Sequence, residues 1–551
     1  VADACVGAFF SGKTDKEREK ERVRRLDLIS GSLNTEGTLP TLPTDADLRC
    51  FHWPLEFPEV FHGQRPDPLD AEQVNKAAWM DGFIGTPPFA GKNNIIDAGG
   101  ENYLPWLQAV HEGAHGNADL AAHFFRRAMW LLGDHGTVGF IATNTIAQGD
   151  TRQTGLKHVV DGGAVIYDAV KSMKWPVGGA NVSVSVVHLA KGHVAELALQ
   201  SRLDGQPVAA INSRLRGAPE RPDPVGLKAN EAKSFQGSIV LGMGFVLTPE
   251  RRAELIKKDK KNGERIFRYT GGEEINSDPD PRLERYVINF GDLELADAEQ
   301  WPDLIGIVRE LVKPERDKIK DAFGKRLWWL HMRTRPELYG ALKPLNRCLA
   351  ISRVSKHCMF SFQQTVTVFS EQAIIFPVED SRWLTVLQSR VHEVWARLLS
   401  SSLEDRLRYA PSDCFETFPF PPEPAFAGLD ALGDRLHEVR SAYLQANAVG
   451  LTTTYNRLKD EGEQSAELQQ LRHLHEEVDR AVLAAYGWQD ITVPPYCAAE
   501  PAAFSAFEDA VLDRLFALNA TRAAEEQRAG LTAPPAAKKP KKPAAKKKAK
   551  A

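Results

Sequence analysis

Cysteine is scarce. The chain of 551 residues has six (Cys5, Cys50, Cys348, Cys358, Cys414 and Cys497), scattered and with no C-x-x-C pair. That pattern supports neither a disulfide scaffold nor a zinc ribbon, and a reduced, cytoplasmic compartment is the expectation. No apolar run approaches the ~18–20 residues that cross a bilayer, so no membrane is expected as a partner. The start, VADACVGAFF, has no charged region or small-residue cleavage site and is not a signal peptide. G-x-S-x-G is missing, which removes support for a serine hydrolase. The segment LGMGF (Leu241 to Phe245) lacks the G-x-G-x-x-G spacing of a dinucleotide fingerprint.

What is present is a normal globular balance, 43% hydrophobic and 26% charged, enough for about three or four domains. A net charge of −4 hides an asymmetry: Lys538 to Ala551 carries eight lysines and no acid. Without it, 61 basic residues face 73 acidic ones. A basic tail on an acidic body reads either as a polyanion-binding arm or as a solvated, disordered end.

Up to about residue 200 helical and strand-like segments alternate. Lys16 to Leu33 is charged and amphipathic, and Ala118 to Leu132 has apolar residues at helical spacing, ended by Gly133 to Gly136. Asp81 to Ile84, Thr137 to Ala142 and Val182 to Ala190 read as strands, while Ala164 to Val170 is ambiguous. Alternation of this kind implies a parallel or mixed α/β sheet. Arg214 to Ala232 reads as linker. An aromatic-rich region with short strands follows to about Phe426. From Leu429 to Asn519 the pattern is helical, cleanest over Glu463 to Tyr486.

The most informative stretch is DGFIGTPPFAGKNN, Asp81 to Asn94. A short apolar strand runs into Gly-Thr-Pro-Pro-Phe. Consecutive prolines fix φ near −65° and supply no N–H, and Thr86, preceding proline, is pushed to an extended conformation. The carbonyls of Thr86 and Pro87 should then be free acceptors on a rigid turn at a strand's C-terminal edge, where ligands bind in open α/β sheets. Phe89 adds a flat ring. An amino group under an aromatic face would be held well there. A tight structural turn with a core phenylalanine is the competing reading of TPPF taken alone.

The segment resembles the (Asn/Asp/Ser)-Pro-Pro-(Tyr/Phe/Trp) motif of amino-group DNA methyltransferases, and GFIGTPPFAGKN is similar to the form used by large restriction–modification methylases of the MmeI type. Phe51 to Phe61 (FHWPLEFPEVF), Asn117 to Leu156, GSIVLGMGFVLTPE, RYVINF and YAPSDCFETFPFP fall in the family's order. The resemblance implies an α/β fold: a partial class I (Rossmann-like) methyltransferase sheet at 1–200, a linker at 201–233, a mixed α+β target-recognition domain at 234–426, an α-helical C-terminal region at 427–530 and a disordered Lys-rich tail at 531–551. It implies double-stranded DNA as partner and S-adenosylmethionine as cofactor. Transfer would be to adenine N6 of a flipped base, within restriction–modification or phage defence. Thr86, Pro87, Pro88 and Phe89 would be the catalytic residues, with the ring stacking on the base.

The sequence departs from the family at Thr86, where adenine-specific forms have Asn or Asp. A threonine hydroxyl accepts one hydrogen bond, as serine does in cytosine-N4 forms. The cofactor loop, an Asp-Pro-x-Cys-Gly-x-Gly-like turn, is nowhere in the chain, and Gly99-Gly100 and Gly178-Gly179 lack its flanks. An N-terminal truncation is the expectation, and a non-catalytic DNA-binding remnant is the alternative.

Other segments compete. GAFFSGKT (Gly7 to Thr14) fits the NTPase phosphate loop G-x-x-x-x-G-K-(S/T) or a helix end at Gly12. HEGAH (His111 to His115) resembles H-E-x-x-H, although Gly113 and Gly116 disfavour a long helix. Asn144, Gln148 and Arg152 line a pocket or cap a loop. Tyr269, Arg285, Tyr286, Lys325, Arg326, Trp328, Trp329, Arg333 and Arg335 suit phosphate contact and base stacking; Lys325, Arg326, Arg333 and Arg335 are the expected DNA-binding residues. The competing reading makes the tryptophans core and the arginines a solvated face.

Overall fold

The computed structural model describes residues 2–33, 50–61, 65–67, 70–75, 79–175, 182–196, 200–277, 284–403, 406–497 and 501–532. The lysines from Lys538 onward and Gly178-Gly179 lie outside them. The chain is mixed α/β and divides into two compact units, Val1–Pro222 and Asp223–Ala551. No described helix is long and apolar enough to cross a membrane.

In the first unit, helices Ala2–Phe10 and Asp15–Leu33 lead into a short hairpin, β1 (Arg65–Asp67) and β2 (Asp70–Asn75). A six-stranded sheet follows: β3 (Met80–Gly85), β4 (Leu132–Thr143), β5 (Val165–Lys174), β6 (Ser183–Ala190), β7 (Arg202–Leu203) and β8 (Gln206–Pro207), in spatial order β3-β4-β6-β5-β7-β8. β3 runs parallel to β4, from Met80 opposite Leu132 to Gly85 opposite Phe140. β6 is antiparallel to both β4 and β5. The Ala118 to Leu132 stretch is helical over Leu120–Leu131, because Asp119 caps it by accepting from the Ala121 N–H at 2.9 Å. Its apolar face, with Phe125 and Met129, packs on Phe140, Ile166, Val187 and Leu189 of the sheet.

The helix does end ahead of Gly133 to Gly136, but no turn separates it from the next strand. Leu132 takes an extended conformation (φ −78°, ψ 136°) straight after the helix, so the glycines lie inside β4. The ambiguous Ala164 to Val170 stretch is strand β5, with Ile166 and Ala169 buried.

Among its described residues the second unit contains three small sheets. One core gathers Val287, Leu304, Val308, Trp328 and Trp329. A larger one joins Leu349, Phe376 and Trp395 to Val478 and Leu512 of the long helices Ala466–Tyr486 and Pro501–Arg528. The two ends of this unit are tied by Asn519, whose amide donates to the Val225 and Thr417 carbonyls at 2.9 and 2.7 Å. Gly237 sits where its strand segment crosses Ser370, whose carbonyl oxygen would lie 2.1 Å from any Cβ; no other residue fits there.

Candidate functional site

Strand β3 lies at the sheet edge and pairs, among described strands, only with β4. It ends at Gly85, and Thr86 to Gly91 continue without regular structure to the helix Lys92–Gly99. Thr86 and Pro88 are exposed, Pro87 is buried and Phe89 is half-buried. The turn is pinned behind by Ala90, whose carbonyl accepts from Leu120 N–H at 2.8 Å. Among the described residues, no turn or loop hydrogen bond uses the carbonyl of Thr86 or Pro87. An exposed hydroxyl and two open carbonyls therefore share one rigid turn, as the proline pair requires. The Phe89 ring is met edge-on by Trp175 at 6.0 Å and 84°. Trp175 went unnoticed in the sequence because it follows β5, the segment whose pattern was ambiguous.

Neighbouring candidates resolve differently. Arg152 is 1% exposed and donates to Ser213 Oγ at 2.6 Å, with Glu220 at 3.6 Å. It is a structural tie, not a pocket wall. Asn144 opens a short 3-10 turn at the end of β4, and both it and Gln148 are half-buried.

GAFFSGKT is not a phosphate cradle. Gly7 lies inside the helix Ala2–Phe10, so it is not part of a strand-to-helix turn. The Lys13 and Thr14 N–H groups, which a phosphate loop would offer, donate instead to Glu17 at 2.9 and 3.0 Å, a helix cap. In HEGAH, His111 ends the helix Tyr103–Val110 and its Nδ1 meets His123 Nδ1 at 2.7 Å, while His115 faces Asp150 at 3.0 Å. The two histidines do not share a helix face. Asp3, Cys50 and His52 form the only three-residue cluster of metal-ligand type among the described residues, and His52 is already bonded to Asp3 at 2.8 Å.

In the second unit the basic and aromatic residues part ways. Trp328 and Trp329 are 7% and 6% exposed, and Trp329 Nε1 donates to the Leu293 carbonyl at 2.9 Å, so both are core. Tyr269 is buried as well, and burial pushes its hydroxyl up to about 12. Lys325 and Arg326 are exposed on the helix Ala322–Arg326. Arg333 is exposed, and among the described residues no carboxylate pairs with it. Arg335 differs. It holds a left-handed backbone (φ 57°, ψ 55°) before Pro336, and its guanidinium donates to the Gly237 carbonyl at 3.3 Å and to Gln236 at 3.2 Å. Those bonds stabilise an otherwise costly conformation, and the side chain is engaged inward.

Arg333 and Thr334 line a cavity of about 460 Å³ with Asp292, Glu294, Phe323 and Met332. A second cavity of about 370 Å³ shares Asp292 and Thr334 and adds Arg265, Asn289 and Val366. Val366 is 72% exposed at the turn between the strands Phe360–Gln364 and Thr367–Phe369. The result is a groove lined by cations (Arg265, Arg333), carboxylates (Asp292, Glu294) and apolar contacts. Sequence reasoning missed Asp292 and Val366, whose loops carry no periodic signal.

A parallel strand ending in an open-carbonyl Pro-Pro turn, together with a grooved unit of small sheets, defines the class once matches to known families are set beside it. Residues 12–159 match the Eco57I restriction-modification methylase and residues 231–422 match the MmeI target recognition domain. The chain thus joins a segment that matches a restriction-modification methylase to one that matches a target recognition domain. The type IIL restriction-modification enzyme MmeI, solved in complex with DNA, shares the fold at TM-score 0.62 and 17% identity, over 81% of this chain and 57% of that one. A DrdV–DNA complex aligns at 15% identity over 65% of this chain and 44% of that one; its TM-score of 0.30 carries no weight. A comparison with curated proteins found no match. The chain spans little more than half the length of the MmeI enzyme it resembles.

Proposed function

We propose that the chain supplies the base-holding and sequence-reading parts of a site-specific DNA amino-methyltransferase, acting on adenine N6 with S-adenosylmethionine as methyl donor. The observation that carries this reading is the Thr86–Phe89 turn at the end of β3, with Thr86 exposed and, among the described residues, the Thr86 and Pro87 carbonyls unused by turn or loop hydrogen bonds. An exocyclic amine has two N–H donors. Thr86 Oγ1 and the Pro87 carbonyl accept them, and Phe89 stacks on the ring with Trp175 behind it. Holding the amine this way orients its lone pair and removes water, so positioning carries the rate. The sheet order supports a Rossmann-like class I arrangement: β3 and β4 parallel, with β6 inserted antiparallel between β4 and β5.

The cofactor half does not fit the described residues. Gly99 and Gly100 close a helix rather than follow a strand, and Gly99 is packed against Tyr103.

Phe89→Ala tests the assignment. Base–aromatic stacking contributes about 1–3 kcal/mol, so in the full-length parent turnover should fall roughly tenfold or more with folding intact. Unchanged methylation would remove the loop from the mechanism. Thr86 separates the readings further. A hydrogen bond to a polarised amine contributes about 1.5–3 kcal/mol, so Thr86→Asn should raise adenine methylation roughly 10–100-fold. Equal activity makes the departure neutral, and a better cytosine substrate for the unmodified chain would shift the target to cytosine N4. Inactivity of both forms supports a non-catalytic, DNA-binding remnant.

Double-stranded DNA is the partner proposed for the groove of the second unit, with Lys325 and Arg326 on phosphates and Arg333 on a base edge. Arg333→Ala should lower the ratio of cognate to scrambled-duplex affinity, each lost base contact costing about 1–3 kcal/mol. Deleting Lys538 to Ala551 should instead weaken both duplexes alike and flatten the salt dependence. Titrations at two salt concentrations distinguish the two; selectivity unmoved by Arg333→Ala would strike that residue from the reading surface.

A further inference from the structure

The first unit has a second concavity, at the opposite end of the β3 and β4 strands from the Thr86 turn. The register places it: β3 and β4 begin side by side at Met80 and Leu132 and reach the Thr86 turn only at Gly85 and Phe140. A cavity of about 590 Å³ opens at the beginning of β4, lined by Trp79, Arg126, Trp130, Asp134, His158 and Lys191 among others. That volume lies within the range of small-molecule sites. The base-holding loop contributes nothing to it.

Its chemistry is unbalanced. Arg126 is 9% exposed, and its hydrogen bond in the structure is a donation to the Glu112 carbonyl at 3.0 Å. Among the described residues no carboxylate pairs with it. A buried guanidinium without a counter-charge is costly, and burial alone accounts for its lowered pKa. Arg127 adds a second cation, its guanidinium 4.5 Å from the Trp130 ring. Lys191 reinforces the sign from the other side. Its ammonium caps the Leu132 carbonyl at 2.9 Å, with Asp134 at 3.9 Å.

Beside these cations stand two indoles. Trp79 and Trp130 meet at 90° with centroids 5.2 Å apart, and Trp130 is 53% exposed. Half-exposed tryptophan at a cavity mouth, with Arg127 over its ring and Trp79 at its edge, keeps flat apolar surface open to solvent. The Asp134 side chain, 70% exposed, adds an acceptor suited to sugar hydroxyls. A polyanion alone would not need the rings, and an apolar ligand would leave Arg126 uncompensated.

We propose that this cavity binds a mononucleotide: phosphate on Arg126, the base against Trp130, and the ribose hydroxyls toward Asp134. It is a site separate from the flipped-base pocket and independent of the methyltransferase reading.

Calorimetric titration of the full chain with AMP, and separately with adenosine and with inorganic phosphate, tests it. Saturable AMP binding tighter than either fragment is expected. Arg126→Gln should weaken AMP roughly 10–100-fold, the span of one charge-assisted contact. Trp130→Ala should weaken AMP roughly tenfold while leaving phosphate unaffected. Phe89→Ala, which alters the other end of these strands, should leave AMP binding intact. If Arg126→Gln disturbs folding by circular dichroism, the exposed Trp130 decides alone. Absence of saturable AMP binding, or AMP affinity unmoved by Trp130→Ala, overturns the proposal. So does loss of AMP binding in Phe89→Ala, which would place the nucleotide at the catalytic turn.

Discussion

Acidification from pH 6.5 toward 4 is expected to unfold the second unit steeply. Four of its histidines are buried in the neutral form: His331 and His357 are pushed down to about 4, and His392 and His475 to about 3, in each case mainly by burial. An unfolded histidine titrates near 6.5. Below that pH the unfolded chain takes up protons that the folded chain refuses, so stability is present above ~6.5 and falls as pH drops toward the folded values. Each group contributes a slope of about 1.4 kcal/mol per pH unit, so four give roughly 5 kcal/mol per unit. A domain stabilised by about 5–15 kcal/mol does not survive two such units. Glu393, held well below the usual carboxylate range by Lys459 and Arg397 against its own burial, acts in the same direction at lower pH. Denaturant titrations between pH 7 and 5 measure the slope. A slope under one proton would show that these rings are hydrated, and His392→Gln should remove about one proton of it.

The second large effect is expected at Arg316. This residue is 1% exposed and carries no direct part in any proposed contact with DNA. Its guanidinium donates to the Leu241 carbonyl at 2.8 Å, Val240 at 2.9 Å and Leu330 at 3.2 Å, with Gly324 at 3.5 Å. Arg316→Met keeps the bulk and leaves those carbonyls buried without donors. Breaking such a network is expected to cost about 3–5 kcal/mol, read as a lowered urea midpoint at unchanged slope. Arg316→Lys should recover only part of that, since one ammonium cannot match the planar fork. Because Leu330 to Arg333 form the wall of the groove, cognate-duplex selectivity should decline in Arg316→Met even at temperatures where the chain is folded. Wild-type stability in Arg316→Met would mean that water replaces the guanidinium.

The comparison between sequence and structure divides along physical lines. The Thr86 turn was legible because proline acts locally: two rings fix the backbone whatever surrounds them. The helix at Leu120–Leu131 was legible because its 3.6-residue period and its Asp119 cap agree. The Gly133–Gly136 break misled, since the strand pairing of Leu132 with Met80 overrides a local preference for a turn. The tryptophans of the middle region could not be sorted from sequence, because an indole against a base and an indole in a core make the same pattern. Arg335 was hidden for a different reason. Its partners Gln236 and Gly237 lie about a hundred residues away, and its left-handed backbone has no compositional mark. Asp292 and Val366 came together only through tertiary structure, from loops with no period at all.

Arg316 grips the groove wall from behind, and the Ile239–Arg333 bridge holds it from the side. Apart from the contact of Arg316 with Met332 Sδ at 3.5 Å, these attachments use main-chain atoms of the wall, so the Arg333 and Val366 side chains are left out of the scaffolding. Substitutions at position 333, or at the exposed Val366 turn, can then accumulate without refolding the unit. Drift in what this surface accepts is cheap for the lineage, whereas drift at Arg316 is not. Libraries randomised at the displayed positions should yield mostly folded members, and the same libraries built on an Arg316 variant mostly aggregates.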